Sequence, residues 1–267
     1  METQDRAIHD AILFIQENLD KDLSLEKLAN EAAYSPYHFS RMFKKHVGVP
    51  PKYYVSSMRL QLAKRLLLDT NFPIRDIGFE VGQQSLGTFT TRFTKSIGIT
   101  PAAFRTAQTN SNQYMTDLKS NKRLTTERQN SSPYHQVVGS IHAEENFDGI
   151  IFIGIFSKPI PEGLPIRGTL LMTTGEFELN HIPVGTYYLM ATALSWGIDS
   201  KSILIPQETL RVRHPIPIHL DGRNILSSIH LTMHKPAITD PPILISLPLL
   251  MKHFLQRSPI SHGKEGI

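Results

Sequence analysis

The sequence of 267 residues contains no cysteine. Disulfides, thiolate zinc sites and cysteine nucleophiles are therefore excluded. A chain built without them suits a reducing cytoplasm. Long apolar runs are missing too, since none approaches the roughly 18 residues of a membrane span. The greasiest stretch, "PPILISLPLLMKHF", is short and is broken by Pro248. The first ten residues, METQDRAIHD, lack the basic flank and apolar run of a signal peptide. There is no G-x-S-x-G motif, no paired catalytic carboxylates and no phosphate-cradling glycine loop. The expectation is a non-enzyme without cofactor and without membrane attachment.

Charge is present but modest, with a net +4 and an isoelectric point near 9.2. Its distribution says more. Residues 1–107 carry 14 Lys and Arg against 11 Asp and Glu, residues 108–133 carry 4 against 2, and residues 134–267 carry 10 against 11. The positive excess lies in the first half, which is compatible with an anionic partner there.

That first half reads as helical. Ile8, Ile12, Ile15 and Leu19 form an amphipathic stripe. Ser24 caps a helix beginning at Leu25, and Ser35-Pro36 starts another that Gly48 ends. Tyr53–Leu68 holds neither glycine nor proline and predicts a long helix with Met58, Leu62, Ala63 and Leu66 as its stripe. Helices over 74–81, 85–95 and after Pro101 complete about seven, with no strand.

Within this half the chain repeats itself. "FSRMFKKHVGVPP" from Phe39 and "FTTRFTKSIGITP" from Phe89 align at an offset of fifty. Upstream the offset falls to forty-nine, pairing Leu25 with Ile74 and Ala29 with Gly78, so the second copy has one extra residue between its helices. Each copy reads as a short helix, a turn, and a second helix opened by serine. The small residues Ala29 and Gly78 suit a close helix crossing. This is a helix-turn-helix arrangement, whose second helix fits a DNA major groove. Sixteen residues of connecting helix span about 24 Å. With the widths of the two modules added, the recognition helices are expected roughly one DNA turn, about 34 Å, apart.

Residues 8–105 resemble the AraC/XylS family of bacterial transcription regulators. The resemblance is carried by "LSLEKLANEAAYSPYHFSRMFKKHVGVPPKYYVSSMRLQLAKRLL", by "IRDIGFEVG" and by "FTTRFTKSIGITPAAFR". It implies cytoplasmic, sequence-specific binding of double-stranded DNA. It also implies transcription control, commonly activation through contact with RNA polymerase. The positions it assigns to DNA on the first recognition helix are Pro36, Tyr37, Ser40, Arg41, Lys44 and Lys45. Arg41 suits guanine O6 and N7, and Lys44, Lys45 and His46 suit phosphates. On the second helix they are Leu86, Gly87, Thr90, Thr91, Arg92 and Lys95. The outward four, Leu86, Gly87, Thr90 and Thr91, include no arginine, so the second half-site is expected to be read weakly, by A·T content or shape.

Residues 108–133 are polar and rich in Asn, Ser, Thr and Gln, and read as a linker able to hold a small helix. From 134 to 235 the texture is short aliphatic strands with Pro/Gly punctuation, which predicts an all-β sandwich. "GEFELNHIPVGTYYLMATAL" reads as a hairpin turning at Pro183-Val184-Gly185. It resembles prealbumin-like, carboxypeptidase-regulatory-type β-sandwich domains, with "GIIFIGIFSKPIPEGLP" as the first strand and loop. The resemblance implies a domain that binds, supports or dimerises. Its candidate roles are sensing an unknown small-molecule effector, with Tyr187 and Trp196 as contacts, or forming a homodimer. The alternative is a protein- or carbohydrate-interaction module. His214, His219, His230 and His234 are read as surface histidines, not a metal site. Residues 236–267 form a Pro-rich tail with a short helix near Ser246–Gln256. The expected protein is thus multidomain, an all-α double helix-turn-helix domain followed by an all-β sandwich.

Overall fold

The computed structural model describes residues 2–83, 85–120, 136–221 and 228–257. The helical half runs α1 (Glu2–Glu17), α2 (Leu25–Glu31), α3 (Pro36–Val47), α4 (Pro51–Asp69), α5 (Ile74–Glu80), α6 (Leu86–Ile97) and α7 (Pro101–Thr106). The Ser24, Ser35, Ser85 and Thr100 side chains accept backbone N–H groups at the starts of α2, α3, α6 and α7. Each satisfies a donor that a helix start leaves without an internal partner. Gly48 and Gly98 end α3 and α6 in the left-handed conformation, at φ 81° and 92°. Four residues separate α2 from α3 and five separate α5 from α6, the one-residue difference expected from the changed offset.

The connecting helix α4 differs from its single-stripe reading. Tyr54, Val55, Ser57, Leu60, Gln61, Ala63, Lys64 and Leu67 are buried and lie all around its axis. Met58, Leu62 and Leu66 are only half-buried. The helix is covered by both modules and also by the second half of the chain.

The second half continues with α8 (Gln108–Ser120), β1 (Val137–Ala143), β2 (Gly149–Phe156), β3 (Arg167–Leu171), β4 (Gly175–Leu179), β5 (Gly185–Ser195), α9 (Ser200–Leu204), β6 (Arg211–Arg213), β7 (Ile218–Leu220), β8 (Ile229–Met233) and α10 (Leu247–Arg257). The strands make a three-stranded sheet ordered β4-β1-β8 and a second sheet ordered β3-β2-β5-β6, with β7 paired to β5. β1 and β8 run parallel. Ile141, Phe177 and Leu231 from the first sheet share a buried cluster with Ile153, Leu189 and Ala191 from the second. The opposite face of the second sheet carries Ile150, Phe152, Leu170 and Leu194, packed against Met115, Leu118, Ile203 and Met251 of the three helices. All eight residues of β2 are buried because this strand is covered on both faces.

Three sequence expectations need correction. The Gly175–Leu194 stretch is not a hairpin, because β4 pairs with β1 and β5 pairs with β2 in the other sheet. Phe177, Leu179, Tyr187 and Leu189 do enter one core, but from opposite sheets, which leaves the same alternating pattern that a hairpin would. "GIIFIGIF" is the second strand and lies between β3 and β5. Residues 108–120 form the helix that the linker reading allowed for, with Met115 and Leu118 buried. The rest of that stretch, 121–133, lies outside the described residues, as do residues 134–135 and 258–267 of the two segments that follow it. Nor is the tail a separate piece. Leu244 joins the helical core, and Ile245, Leu247 and Met251 join the core under the second sheet.

The two halves meet closely. Ile160, Leu204, Ile205 and Leu244 belong to the same buried cluster as the helix-turn-helix core. Lys64 on α4 is fully buried and donates to the carbonyls of Ile243 and Leu244 at 3.1 and 3.4 Å. Lys201 pairs with Asp69 at 2.7 Å.

Candidate nucleic-acid interface

The two recognition helices are positioned by one device used twice. In α3, the Phe39 and Phe43 rings lie tilted against each other with centroids 5.6 Å apart, and Phe43 meets Tyr54 of α4 edge-on at 5.4 Å. In α6, the Phe89 and Phe93 rings are likewise tilted at 5.7 Å, and Phe93 meets Phe104 of α7 edge-on at 5.7 Å. Tyr54 and Phe104 are themselves fifty positions apart, so the repeat extends to the ring that anchors each helix. Such edge contacts add to the area buried by each ring and fix its orientation. Gly78 allows α5 to approach α6, since a Cβ there would stand 3.3 Å from the Phe89 ring.

With the apolar side of each helix buried, the opposite side is open. On α3, Tyr37 is 78% exposed. Arg41, Lys44 and Lys45 are exposed, and Pro36 and Ser40 are half-buried. Among the described residues Arg41, Lys44 and Lys45 form no ion pair. Lys44 and Lys45 lie in the last turn, where the helix dipole favours cations. His46 departs from its phosphate reading. Its ring is engaged internally, with Nε2 2.8 Å from Asp5 Oδ1 and Nδ1 2.7 Å from the Met42 carbonyl oxygen.

On α6, Leu86 is 43% exposed and a Cβ on Gly87 would meet nothing within 4 Å. Thr91 and Lys95 are exposed, and Thr90 and Arg92 are half-buried. The Thr90 carbonyl accepts from the Thr94 hydroxyl at 2.8 Å. Thr88, which the sequence reading passed over, is exposed in the first turn and bonds Ser85 through both its N–H and its hydroxyl. Its place three residues after the cap, in the first helical turn, was the available signal.

The two aromatic residues assigned to an effector are not brought together. Tyr187 is buried between the sheets, its hydroxyl donating to the Val184 carbonyl at 3.4 Å. Trp196 is half-buried beside the helices, with Lys119 Nζ 5.4 Å above its ring. An apolar cleft of this half lies elsewhere, beside Arg211 and Arg213. Their Arg-Val-Arg alternation, which puts both on one face of a strand, was legible but unused. His219 and His230 bond the hydroxyls of Thr186 and Ser140, each at 2.8 Å.

A family model described as "Helix-turn-helix domain" matches residues 28–107. The chain is 37% identical over 95 residues to the uncharacterized HTH-type transcriptional regulator YobQ of Bacillus subtilis, covering 36% of this chain and 39% of that protein. It is 41% identical over 92 residues to the bifunctional transcriptional activator/DNA repair enzyme AdaA of Bacillus subtilis, covering 34% and 44%. It is 31% identical over 112 residues to the HTH-type transcriptional activator AarP of Providencia stuartii, covering 42% and 83%. The chain thus spans about two fifths of the first two relatives and most of the third. Two helix-turn-helix modules on one connecting helix, together with these relatives, assign the chain to the AraC family of helix-turn-helix, DNA-binding transcription regulators.

Proposed function

We propose that a single protomer reads two successive major grooves on one face of double-stranded DNA, α3 in one and α6 in the next, and that the second half of the chain senses a small molecule or dimerises the regulator. The supporting observation is the duplicated exposed face, held by duplicated aromatic anchors, Tyr54 on α4 and Phe104 on α7. The 19 residues of α4 extend about 28 Å, which with the widths of the modules suits grooves one turn apart. Arg41 is assigned to a guanine edge, and Tyr37 and Ser40 to flanking contacts. Lys44, Lys45, Arg92 and Lys95 are assigned to phosphates, and Leu86, Gly87, Thr90 and Thr91 to a weakly specified second half-site. The protein is placed in the cytoplasm, with RNA polymerase as a further partner. Alkyl transfer to a cysteine, chemistry that a DNA-repair role would need, has no acceptor in this sequence.

Enrichment of genomic DNA fragments at fixed salt tests the reading, because the phosphate contribution otherwise dominates affinity. The expected product is a bipartite site whose halves are spaced by about one helical turn. Recovery of a site with one half only, unchanged by substitutions on α6, would remove the second groove from the proposal. Recovery of paired bipartite sites would assign the second half of the chain to dimerisation.

A further inference from the structure

The outer face of the second sheet holds a cleft enclosing about 740 Å³ of empty space, part of it open to solvent. Strand register builds its floor. Gly168, Gly154, Met190 and Arg213 stand in one row across the sheet, and Leu170, Phe152, Thr192 and Arg211 in the next. Over the facing pair Gly154 and Gly168 stand the Phe156 ring and Pro165, which a Cβ on Gly154 would meet at 2.9 and 3.1 Å. Ile243, Ile245, Leu250 and Phe254 from the tail and α10 form the opposite wall. The floor is therefore apolar over β3 and β2 and cationic over β6.

The cationic end has hydrogen-bonding capacity left. Arg213 gives one N–H to the Pro159 carbonyl and one to the Val47 carbonyl, both at 3.0 Å. Arg211 is held by the carbonyls of Thr209, Pro206 and Gln207. A guanidinium has five donors, so each keeps some to offer. Among the described residues neither arginine forms an ion pair. Burial is the largest influence on both and disfavours their charge, while the Asp240 carboxylate, which lines the same cleft, partly offsets it. Asp240 itself accepts from the Ala237 N–H at 2.8 Å and lies 3.9 Å from His234. Two half-buried cations beside an apolar cleft, with no carboxylate in contact, are complementary to an anion on an apolar body.

The same residues hold the DNA-reading helices. The Val47 carbonyl bonded by Arg213 is the last of α3, and the guanidinium packs against Gly48. On the opposite wall, Ser246 donates to the carbonyl of Ile97, the last residue of α6, at 2.9 Å. Gly163 donates to the neighbouring Ser96 carbonyl at 2.7 Å. Floor and wall of one cleft are thus tied to the ends of both recognition helices.

We propose that this cleft binds a small amphipathic anion, a carboxylate on a short apolar chain or ring, and that its occupancy is transmitted through Arg213 and residues 243–247 to the C-terminal ends of α3 and α6. This rests on the sensing role under Proposed function and names its site. Linkage then requires DNA to alter anion affinity by the factor by which the anion alters DNA affinity.

The test uses the full chain with octanoate and 1-octanol as probes, followed by calorimetry and by amide hydrogen exchange. Saturable octanoate binding is expected, with octanol at least about tenfold weaker for want of the charge-assisted bonds. Leu250→Trp, at a half-exposed position, should fill the cleft and weaken octanoate at least about tenfold. Should that variant misfold, Arg211→Gln is expected to weaken octanoate by a similar factor and leave octanol unchanged. Octanoate should also slow exchange at Gly48, Gly98 and Ser246. Failure of octanoate to bind, equal binding of octanol, or binding indifferent to both substitutions would overturn the site. Binding without altered exchange at the helix ends would overturn the coupling. Neither readout contains DNA, so a failed fragment enrichment would count against groove reading alone.

Discussion

Arg41 stands exposed in the first half of α3 without an ion pair among the described residues, so base contact would break no existing interaction. A bidentate contact to one base pair is worth about 1–3 kcal/mol of discrimination. Arg41→Ala should therefore weaken binding by that amount and relax preference at one position of the site. Lys45→Ala should weaken all sequences alike and reduce the salt slope by about 1, since it loses a phosphate. Replacing Thr90 and Thr91 together should cost less selectivity than Arg41→Ala in the same gel-shift series. An equal loss would reverse the ranking of the two modules. Lys64 has a different role. Its ammonium is buried between two carbonyls and 5.6 Å from the Phe104 ring centroid, and burial pushes its pKa from 10.5 down to about 7. Below pH 7 both folded and unfolded chains hold the proton, and the folded state carries the whole cost of a buried charge. Between pH 7 and 10.5 the unfolded chain binds more protons, so stability rises with pH. Measured by urea unfolding at pH 7 and pH 9, wild type should gain on the order of 1–2 kcal/mol relative to Lys64→Met. Identical pH dependence in the two proteins would show that Lys64 does not titrate in this range.

At the scale of elements, the two helix-turn-helix turns solve one backbone problem with different residues. Ala33, in the first turn, is left-handed at φ 57°, and its counterpart forty-nine positions on is Gly82 at φ 71°. A non-glycine residue in that conformation costs about 1–2 kcal/mol, against about 0.4–1 kcal/mol of added unfolded-chain entropy for glycine. Ala33→Gly should thus raise stability by roughly 0.5 kcal/mol, read as a higher urea midpoint with unchanged slope. A lower midpoint would mean that the Ala33 methyl makes contacts that outweigh the strain. Helices of this half were legible because cap, apolar stripe and terminating glycine agree at α3 and α6. The α8 helix was allowed for but not bounded, since only Ser111, Met115 and Leu118 face inward from a polar sequence and its stability comes from packing against α9 and α10. The sheets were half legible. Alternation marks which residues enter a core, but Phe177 and Tyr187 alternate the same way whether their strands pair or face one another. For the site, outward positions on α3 and α6 followed from periodicity. The cleft did not, because its walls lie nearly a hundred residues apart in sequence, at Phe152 and Leu250.

At the scale of the whole molecule, the sequence reads as two domains joined by a polar linker, and the described residues share more of their packing than that reading implies. Leu244 lies in the tail yet is fully buried in the helical core, beside Ile160, Leu204 and Ile205 from the second half. Lys64 and Ile97 receive the same tail segment through its backbone. A shared core makes the unfolding of each half costly to the other, so one cooperative transition is expected where separate domains would give two. The single tryptophan allows this to be checked. Trp196 packs beneath the second sheet and reports on that half, whereas far-UV circular dichroism weights the helices. Both signals should change at one urea concentration in the full chain. Leu244→Ala leaves a cavity on the helical side and should cost about 2–5 kcal/mol. Because the tail ties both halves together, the substitution should move the fluorescence transition as far as the helical one. If Trp196 keeps its wild-type midpoint while the helices melt early, the halves are energetically separate. In that case the carbonyl clamps on α3 and α6 are too weak to carry a signal between cleft and DNA.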